Sequence, residues 1–461
     1  MRVFVAGATG VLGRRVVARL AGAGHQVTGV SRSAEKDHVV ESLGARPVRV
    51  DLFDAGAVRA AVAGHDAVVN AATKIPPVKQ MARASAWEEN ERIRREASTH
   101  LVDAAIAAGA AVFVQESLAF MYGEHGDEWI DAASTPPAAG AFTGAVQAAE
   151  ANVARFTAHG GRGVVLRFGR FYAPDSDQAM ATLAAARRGL VLDVGAGNSY
   201  APMIDADDAA SAVVAALDAP AGTYDVVDDV PMTRAEQSEA LAAAVGRRRL
   251  RRAPRWAMPT MARDLAASQR VSNEAFRNAT TWRPTSPDVR TGYRKLVRTM
   301  HIEPVLPLRV RLMLWILAFS SFAVGVQAEF FPRSFYDDFP LGRGWVAMDG
   351  RYNEHLIRDV GALNLALLVV TIGAMVVGTR AITRIAAGAW LVYSVPHLVY
   401  HLRHLTMNMS GFDKVAMVVS LSVPVVAAIV MLFDRARVPA EIVSGRGASA
   451  AANLTQVSVR R

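Results

Sequence analysis

Three glycines stand at fixed spacing near the start of the chain, in Gly7-Ala8-Thr9-Gly10-Val11-Leu12-Gly13. Glycine lets a backbone turn tightly and approach a bound group closely. A short apolar run, Val3–Ala6, precedes the turn, and an amphipathic stretch, Val11–Ala23, follows it. A strand feeding a helix through such a turn aims free N–H groups and the positive helix end at an anion, here the pyrophosphate of a dinucleotide. Gly7, Thr9, Gly10, Val11, Leu12 and Gly13 are the candidate residues for that contact.

Three further segments extend the same site. The second apolar run ends in Gly29-Val30-Ser31-Arg32-Ser33. A carboxylate at this point would accept from the ribose 2′-hydroxyl of NAD, whereas Arg32 between two serines suits the 2′-phosphate of NADP. NADP(H) is therefore favoured over NAD(H). Asp51 and Leu52 follow the third run, where Asp51 is placed to accept from the adenine amino group. Ala71, Ala72 and Thr73 follow the fourth, and their small side chains let the backbone pass close to the cofactor.

These residues must be held by an alternation of strands and helices. Apolar runs at Val3–Ala6, Val27–Val30, Val48–Val50, Ala67–Asn70, Val112–Val114, Val164–Leu166 and Tyr224–Val227 read as strands. Val11–Ala23, Arg95–Ala108, Ala206–Leu217 and Thr233–Val245 read as helices. The order implies an α/β fold, a doubly wound parallel sheet of the Rossmann type.

Over about residues 1–300 the chain resembles an extended short-chain dehydrogenase/reductase of the NAD-dependent epimerase/dehydratase kind. The resemblance rests on the glycine turn, Asp51-Leu52, Asn70-Ala71-Ala72, Met121-Tyr122-Gly123, Leu166–Tyr172, Ile204–Ala209 and Trp282-Arg283-Pro284. It implies hydride chemistry on nicotinamide, with a Tyr-x-x-x-Lys pair and a serine or threonine moving the proton. Spacing back from Glu150 puts that pair at Phe142 and Val146, and the serine position holds Leu118. Ser117 is one residue away, and Asp205 stands where a histidine is common. The cofactor half thus matches and the usual catalytic half does not. Tyr122 and Ser117 become the catalytic candidates, with Glu116 beside them.

The last third of the chain has another character. Leu312–Ala328, Gly361–Gly378, Ala381–Val399 and Val415–Phe433 are apolar runs near the length that spans a bilayer. They imply an all-α bundle of about four transmembrane helices over 301–435, loosely similar to small membrane proteins of the DoxX kind, and a disordered tail over 436–461. Arg309, Arg311, Arg380, Arg384, Arg435, Arg437, Arg446, Arg460 and Arg461 fall on one side of such a bundle. The positive-inside rule makes that side cytoplasmic, in a cell inner membrane, and the N-terminal domain with it. His397, His401 and His404 share a helix face, with Tyr393, Tyr400, His355, Asp359 and Asn364 as further polar candidates for a metal, haem, quinone or proton path. The acidic loop 329–355, with Trp345, is expected to fold back on the bundle.

Composition bounds the rest. The 461 residues contain no cysteine, which excludes disulfides, thiolate metal sites and cysteine nucleophiles. Net charge is +9 and 52% of residues are hydrophobic. No basic helix with interleaved aromatics accompanies the charge, so nucleic acid is not the expected partner. Membrane lipids are, and the run Gly246–Arg252 is a candidate for head-group contact. The expected function is a membrane-tethered NADP(H)-binding oxidoreductase or epimerase-like protein acting on a small or lipophilic substrate. The rival is a cofactor-binding sensor that controls the bundle without turnover.

Overall fold

The computed structural model describes residues 1–81, 83–133, 143–192, 194–252, 266–405 and 409–434. The chain divides after Ile302 into two compact units.

In the first unit, seven strands form one parallel sheet. They are β1 (Arg2–Ala6), β2 (Gln26–Ser31), β3 (Arg46–Arg49), β4 (Ala67–Asn70), β5 (Val112–Leu118), β6 (Arg162–Phe168) and β7 (Gly222–Val226), in the order β7-β6-β5-β4-β1-β2-β3. The seven apolar runs are these seven strands. The five strands from β6 to β2 are buried almost along their length, as a parallel sheet covered on both faces requires, while the edge strands β7 and β3 are partly exposed.

One face packs Leu12, Val16, Val17 and Leu20 of the helix Val11–Gly22 beside Val213 of the helix Ala206–Ala216. The other takes Val58 and Val62, Leu101 and Val102, and Val153 and Phe156, from three more helices. Strand order reverses between β1 and β4. A crevice opens at the carboxyl ends of strands that diverge in this way.

The helix expected over Arg95–Ala108 starts earlier. It runs from Glu88, with a π-helical turn over Ile93–Ala97 before Ser98–Ala107. That turn holds the buried Arg94, whose Nη2 donates to both oxygens of Glu116 on β5, at 3.0 and 2.9 Å.

Among its described residues the second unit has four long helices, Leu308–Phe330, Glu354–Val377, Arg380–Arg403 and Gly411–Leu432. Three of them are long and apolar enough to cross a membrane; Arg380–Arg403, with arginines at both ends and Tyr393, His397, Tyr400 and His401 along it, is not among these. About four spans were expected, and of the four long helices that form, three meet this measure. The unit is inside out by soluble standards. Trp315, Phe319, Val369, Val376 and Val392 are exposed, while Ser321, Asn364, Thr371 and Ser394 are buried. Gly361 lets the first two helices touch, since a Cβ there would lie 2.5 Å from the Glu329 nitrogen. Small residues at helix contacts and large apolar ones outside suit a lipid surround.

The loop does fold back. Trp345 Nε1 donates to Asp413 at 3.1 Å and Arg343 to the same carboxylate at 2.6 Å. Arg309, Arg380 and Arg384 gather about Asp434 at one end of the bundle. Of the polar aromatics, the His397 and His401 rings lie 4.9 Å apart and Tyr400 stacks on His404 at 4.2 Å. His355 pairs with Asp359 at 3.5 Å, and Asn364 donates to Tyr393 at 3.3 Å. Among the described residues, no three histidines or carboxylates converge as a metal site. The tail 436–461, with Arg435, lies outside the described residues.

Candidate dinucleotide site

A cleft of about 2630 Å³ runs along the carboxyl ends of the strands. Of the twelve candidate cofactor residues, Gly7, Thr9, Gly10, Val11, Leu12, Arg32, Asp51, Leu52, Ala71, Ala72 and Thr73 line it. Gly13 does not. A Cβ at Gly13 would sit 2.0 Å from the Gly7 carbonyl oxygen, so its role is to let the helix close against the turn. Gly7 adopts φ +78°, and a Cβ there would strike Ala71 O at 2.5 Å. The two exits, from β1 and from β4, therefore pass each other at backbone distance.

The helix Val11–Gly22 begins at Gly10, and no side chain caps it. Its first N–H groups are left for a ligand, and they face a cleft rather than packed atoms. An anion fits this cradle.

At the far end of β2, Arg32 is exposed and makes a loose pair with Glu89 at 3.8 Å. Its two neighbouring serines are engaged in the fold instead of waiting for a phosphate. Ser33 accepts from Lys36 N at 3.3 Å as a helix cap, and Ser31 donates to Asp37. Lys36 and Arg49 also line the cleft here, and sequence reasoning did not reach them. No spacing rule marks them, because β3 and the first turn of the helix Ala34–Ser42 meet only in the folded chain. Asp37 pairs with Arg49, which holds its carboxyl below the usual range. Asp51 accepts from Phe53 N at 3.0 Å and shapes the β3 exit. Asn90, also unforeseen, accepts from Lys74 N at 2.9 Å and pins the segment after Thr73.

The two catalytic candidates are placed elsewhere. Neither Ser117 nor Tyr122 lines the cleft; both are buried in a polar network beside it. Ser117 donates to Glu150 at 2.6 Å, and Arg167 binds both oxygens of Glu150 at 2.8 and 2.7 Å. Arg167 also donates to the Tyr122 hydroxyl at 2.8 Å, and that hydroxyl donates to Asp225 at 2.8 Å. Burial, and then the Asp225 carboxylate, push the Tyr122 phenol well above its ordinary pKa. A proton donor to hydride chemistry needs the opposite shift. Glu116 is the one residue of the trio that does line the cleft, and burial raises its carboxyl.

The places where the resemblance expects the serine and the lysine are apolar. Leu118 and Val146 are buried in one cluster with Met121, and Phe120 packs against it. Leu118 and Met121 both line the cleft. Phe142, in the place of the tyrosine, lies outside the described residues.

This fold, with an uncapped glycine turn at the strand-order reversal, defines a dinucleotide-binding protein. Residues 3–227 match the model of the NAD dependent epimerase/dehydratase family. A 3-diazoavenalumate denitrifying reductase of a Streptomyces species is 33% identical over 312 residues, covering 63% of this chain and 99% of that protein. Among solved structures, the Thermus thermophilus UDP-glucose 4-epimerase complex with NAD aligns at 22% identity and TM-score 0.54, over 65% of this chain and 99% of that one. A human epimerase family protein with NADPH aligns at 23% identity and TM-score 0.52, over 65% and 99%. The two structures establish the fold. The chain belongs to the NAD dependent epimerase/dehydratase family, and its cleft is the candidate site for a nicotinamide dinucleotide.

Proposed function

We propose that the chain is a membrane-tethered NADP(H)-dependent reductase whose acceptor needs no proton from a tyrosine–lysine pair. The observation that carries this reading is the apolar cluster of Leu118, Met121 and Val146 where the proton relay would stand. When bound, the cofactor supplies a hydride from its nicotinamide ring. The uncapped turn Gly7–Gly13 would hold its pyrophosphate, and Arg32, Lys36 and Arg49 would receive a 2′-phosphate. Leu118, Met121 and Phe120 exclude water from the reacting end, which protects a reactive acceptor.

A carbonyl that takes a hydride becomes an alkoxide and needs a proton. An aryl diazonium ion does not: it and one hydride give one arene and one dinitrogen. The Streptomyces relative is named for the denitrifying reduction of a diazo compound. A conjugated diazo acid is therefore the first acceptor to assay.

Tethering is supported by three helices apolar enough to span a bilayer. The cluster of Arg309, Arg380 and Arg384 at one bundle end favours that end, and the dinucleotide unit, in the cytoplasm of a bacterial-type inner membrane.

The same apolar cluster favours one rival, a sensor that holds the cofactor without turnover. Full chain in nanodiscs, given NADPH and either an aryl diazonium salt or an aromatic ketone, separates the readings. Protein-dependent NADPH loss with dinitrogen release supports the reductase. Loss with the ketone alone sinks it, and tight binding without loss in either case leaves the sensor.

A further inference from the structure

We propose that a basic and apolar edge of the dinucleotide unit docks on an anionic lipid surface beside the mouth of the cleft. This rests on the membrane-tethered reading and adds a second, peripheral contact to it.

The edge is built from two segments far apart in sequence. The helix Asp177–Arg188 ends at Gly189, in the left-handed region at φ +91°. The chain then enters a short strand, Leu190–Val191, which pairs in parallel with Arg251–Arg252. Arg251 N donates to Gly189 O at 2.8 Å, and Arg247 Nε donates to Arg187 O at 2.8 Å. These bonds lay the run 247–252 along the end of the helix.

The result concentrates one sign of charge. Residues 183–192 and 244–252 contain Arg187, Arg188, Arg247, Arg248, Arg249, Arg251 and Arg252 and no carboxylate. Arg188, Arg248, Arg249 and Arg251 are exposed. Solubility alone does not ask for such a patch, since mixed charges serve that purpose better.

Large apolar side chains stand among these cations. Leu190 is 47% exposed and Leu192 49%, while Val191 between them is buried. Val191 and Leu192 also line the cleft, so the exposed leucine sits on its rim. Leucines set among arginines match an interface of acyl chain and phosphate, where cations meet head groups and apolar tips enter the boundary. A nucleic acid would meet the arginines and leave both leucines in water.

The chain itself keeps a bilayer in reach. Only Glu303–Pro307 separate Ile302, the last residue of the unit, from the first apolar helix at Leu308. Five extended residues span at most about 18 Å.

The absence of cysteine makes the test clean. Leu192→Cys in the full chain, carrying an environment-sensitive fluorophore, is placed in nanodiscs with a head-group spin-labelled quencher. The discs contain phosphatidylcholine alone or a mixture with phosphatidylglycerol. A label at the exposed Val230→Cys serves as the comparison. The proposal expects quenching at position 192 at least about threefold stronger with phosphatidylglycerol, lost at high salt, and no such gain at position 230. R188E/R248E/R249E/R251E removes the gain while NADPH binding, measured on the same sample, shows the unit still folded. If that variant fails to fold, the salt dependence of the unaltered arginines decides. Equal quenching in the two lipids, or an equal gain at both positions, overturns the proposal. So does a response to duplex DNA without one to phosphatidylglycerol. Failure of the tether itself would show separately, as full chain released from membranes without detergent.

Discussion

The Tyr122 hydroxyl donates to Asp225 at 2.8 Å while accepting from Arg167 at 2.8 Å, which saturates it inside the protein. Tyr122 is thus a structural member of a network that ties β5, β6, β7 and the helix Thr143–Ala158 together. Tyr122→Phe leaves Asp225 without its buried donor and should lower stability by about 1–3 kcal/mol. NADPH turnover per folded molecule should stay within about twofold of wild type. The readouts are the unfolding midpoint and the specific activity. A loss of turnover without a loss of stability would return Tyr122 to the reaction.

Asp225 also has a pH signature. Burial raises its carboxyl to about 7, above the 3.8 of the exposed group. A raised folded pKa means the folded state binds more protons than the unfolded one between these values. Stability from this group is full below about pH 4 and falls as pH rises through 7. Asp225→Asn should flatten that fall, so the difference between the two stability curves should change over pH 4–7 and level off above. Thermal midpoints at stepped pH check this, and a constant difference between the curves would rule it out.

Arg32 is tested by its choice of cofactor. Arg32→Ala should weaken NADPH binding about 10–100-fold and NADH binding far less, because a charged hydrogen bond to the 2′-phosphate is worth about 1.5–3 kcal/mol. Lys36→Ala should act in the same direction, since Lys36 lines the same end of the cleft. Titration of both cofactors by fluorescence decides, and equal loss for the two would refute the NADP assignment.

Glycine substitutions separate turn from helix. Gly13→Ala drives a methyl group into the Gly7 carbonyl, and should cost about 1–3 kcal/mol and most of the cofactor affinity. Gly22→Ala, at the end of the same helix, meets nothing within 4 Å and should be neutral or slightly stabilising. Cofactor affinity and melting of the two variants, side by side, test whether close approach is the function of Gly13.

The fold and the phosphate cradle were readable in the chain because both rest on local signals. Seven apolar runs became seven strands, most clearly in the sheet's interior, where a strand buried on both faces must be apolar along its length. Gly7, Gly10 and Gly13 marked the turn, since a Cβ at Gly7 or Gly13 would strike backbone atoms and one at Gly10 would press on the Gly7 carbonyl. Apolar residues in the places where the resemblance expects the serine and the lysine were also legible, from Leu118 and Val146. Arg380–Arg403 is less apolar than the other three long helices, because Tyr393, His397, Tyr400 and His401 interrupt its apolar run.

Which polar groups face the cleft was a different kind of question. Ser117 and Glu116 are neighbours on β5, yet one bonds Glu150 outside the cleft and the other lines it. Lys36 and Arg49 join Arg32 only because the helix Ala34–Ser42 and β3 close on β2. The sequence alone determined the doubly wound parallel fold and its glycine turn, and it put Phe142 and Val146 where the resemblance expects an acid–base pair. Tertiary structure decided that Tyr122 and Ser117 are buried struts, because a side chain's role depends on partners such as Asp225 and Glu150 that are distant along the chain.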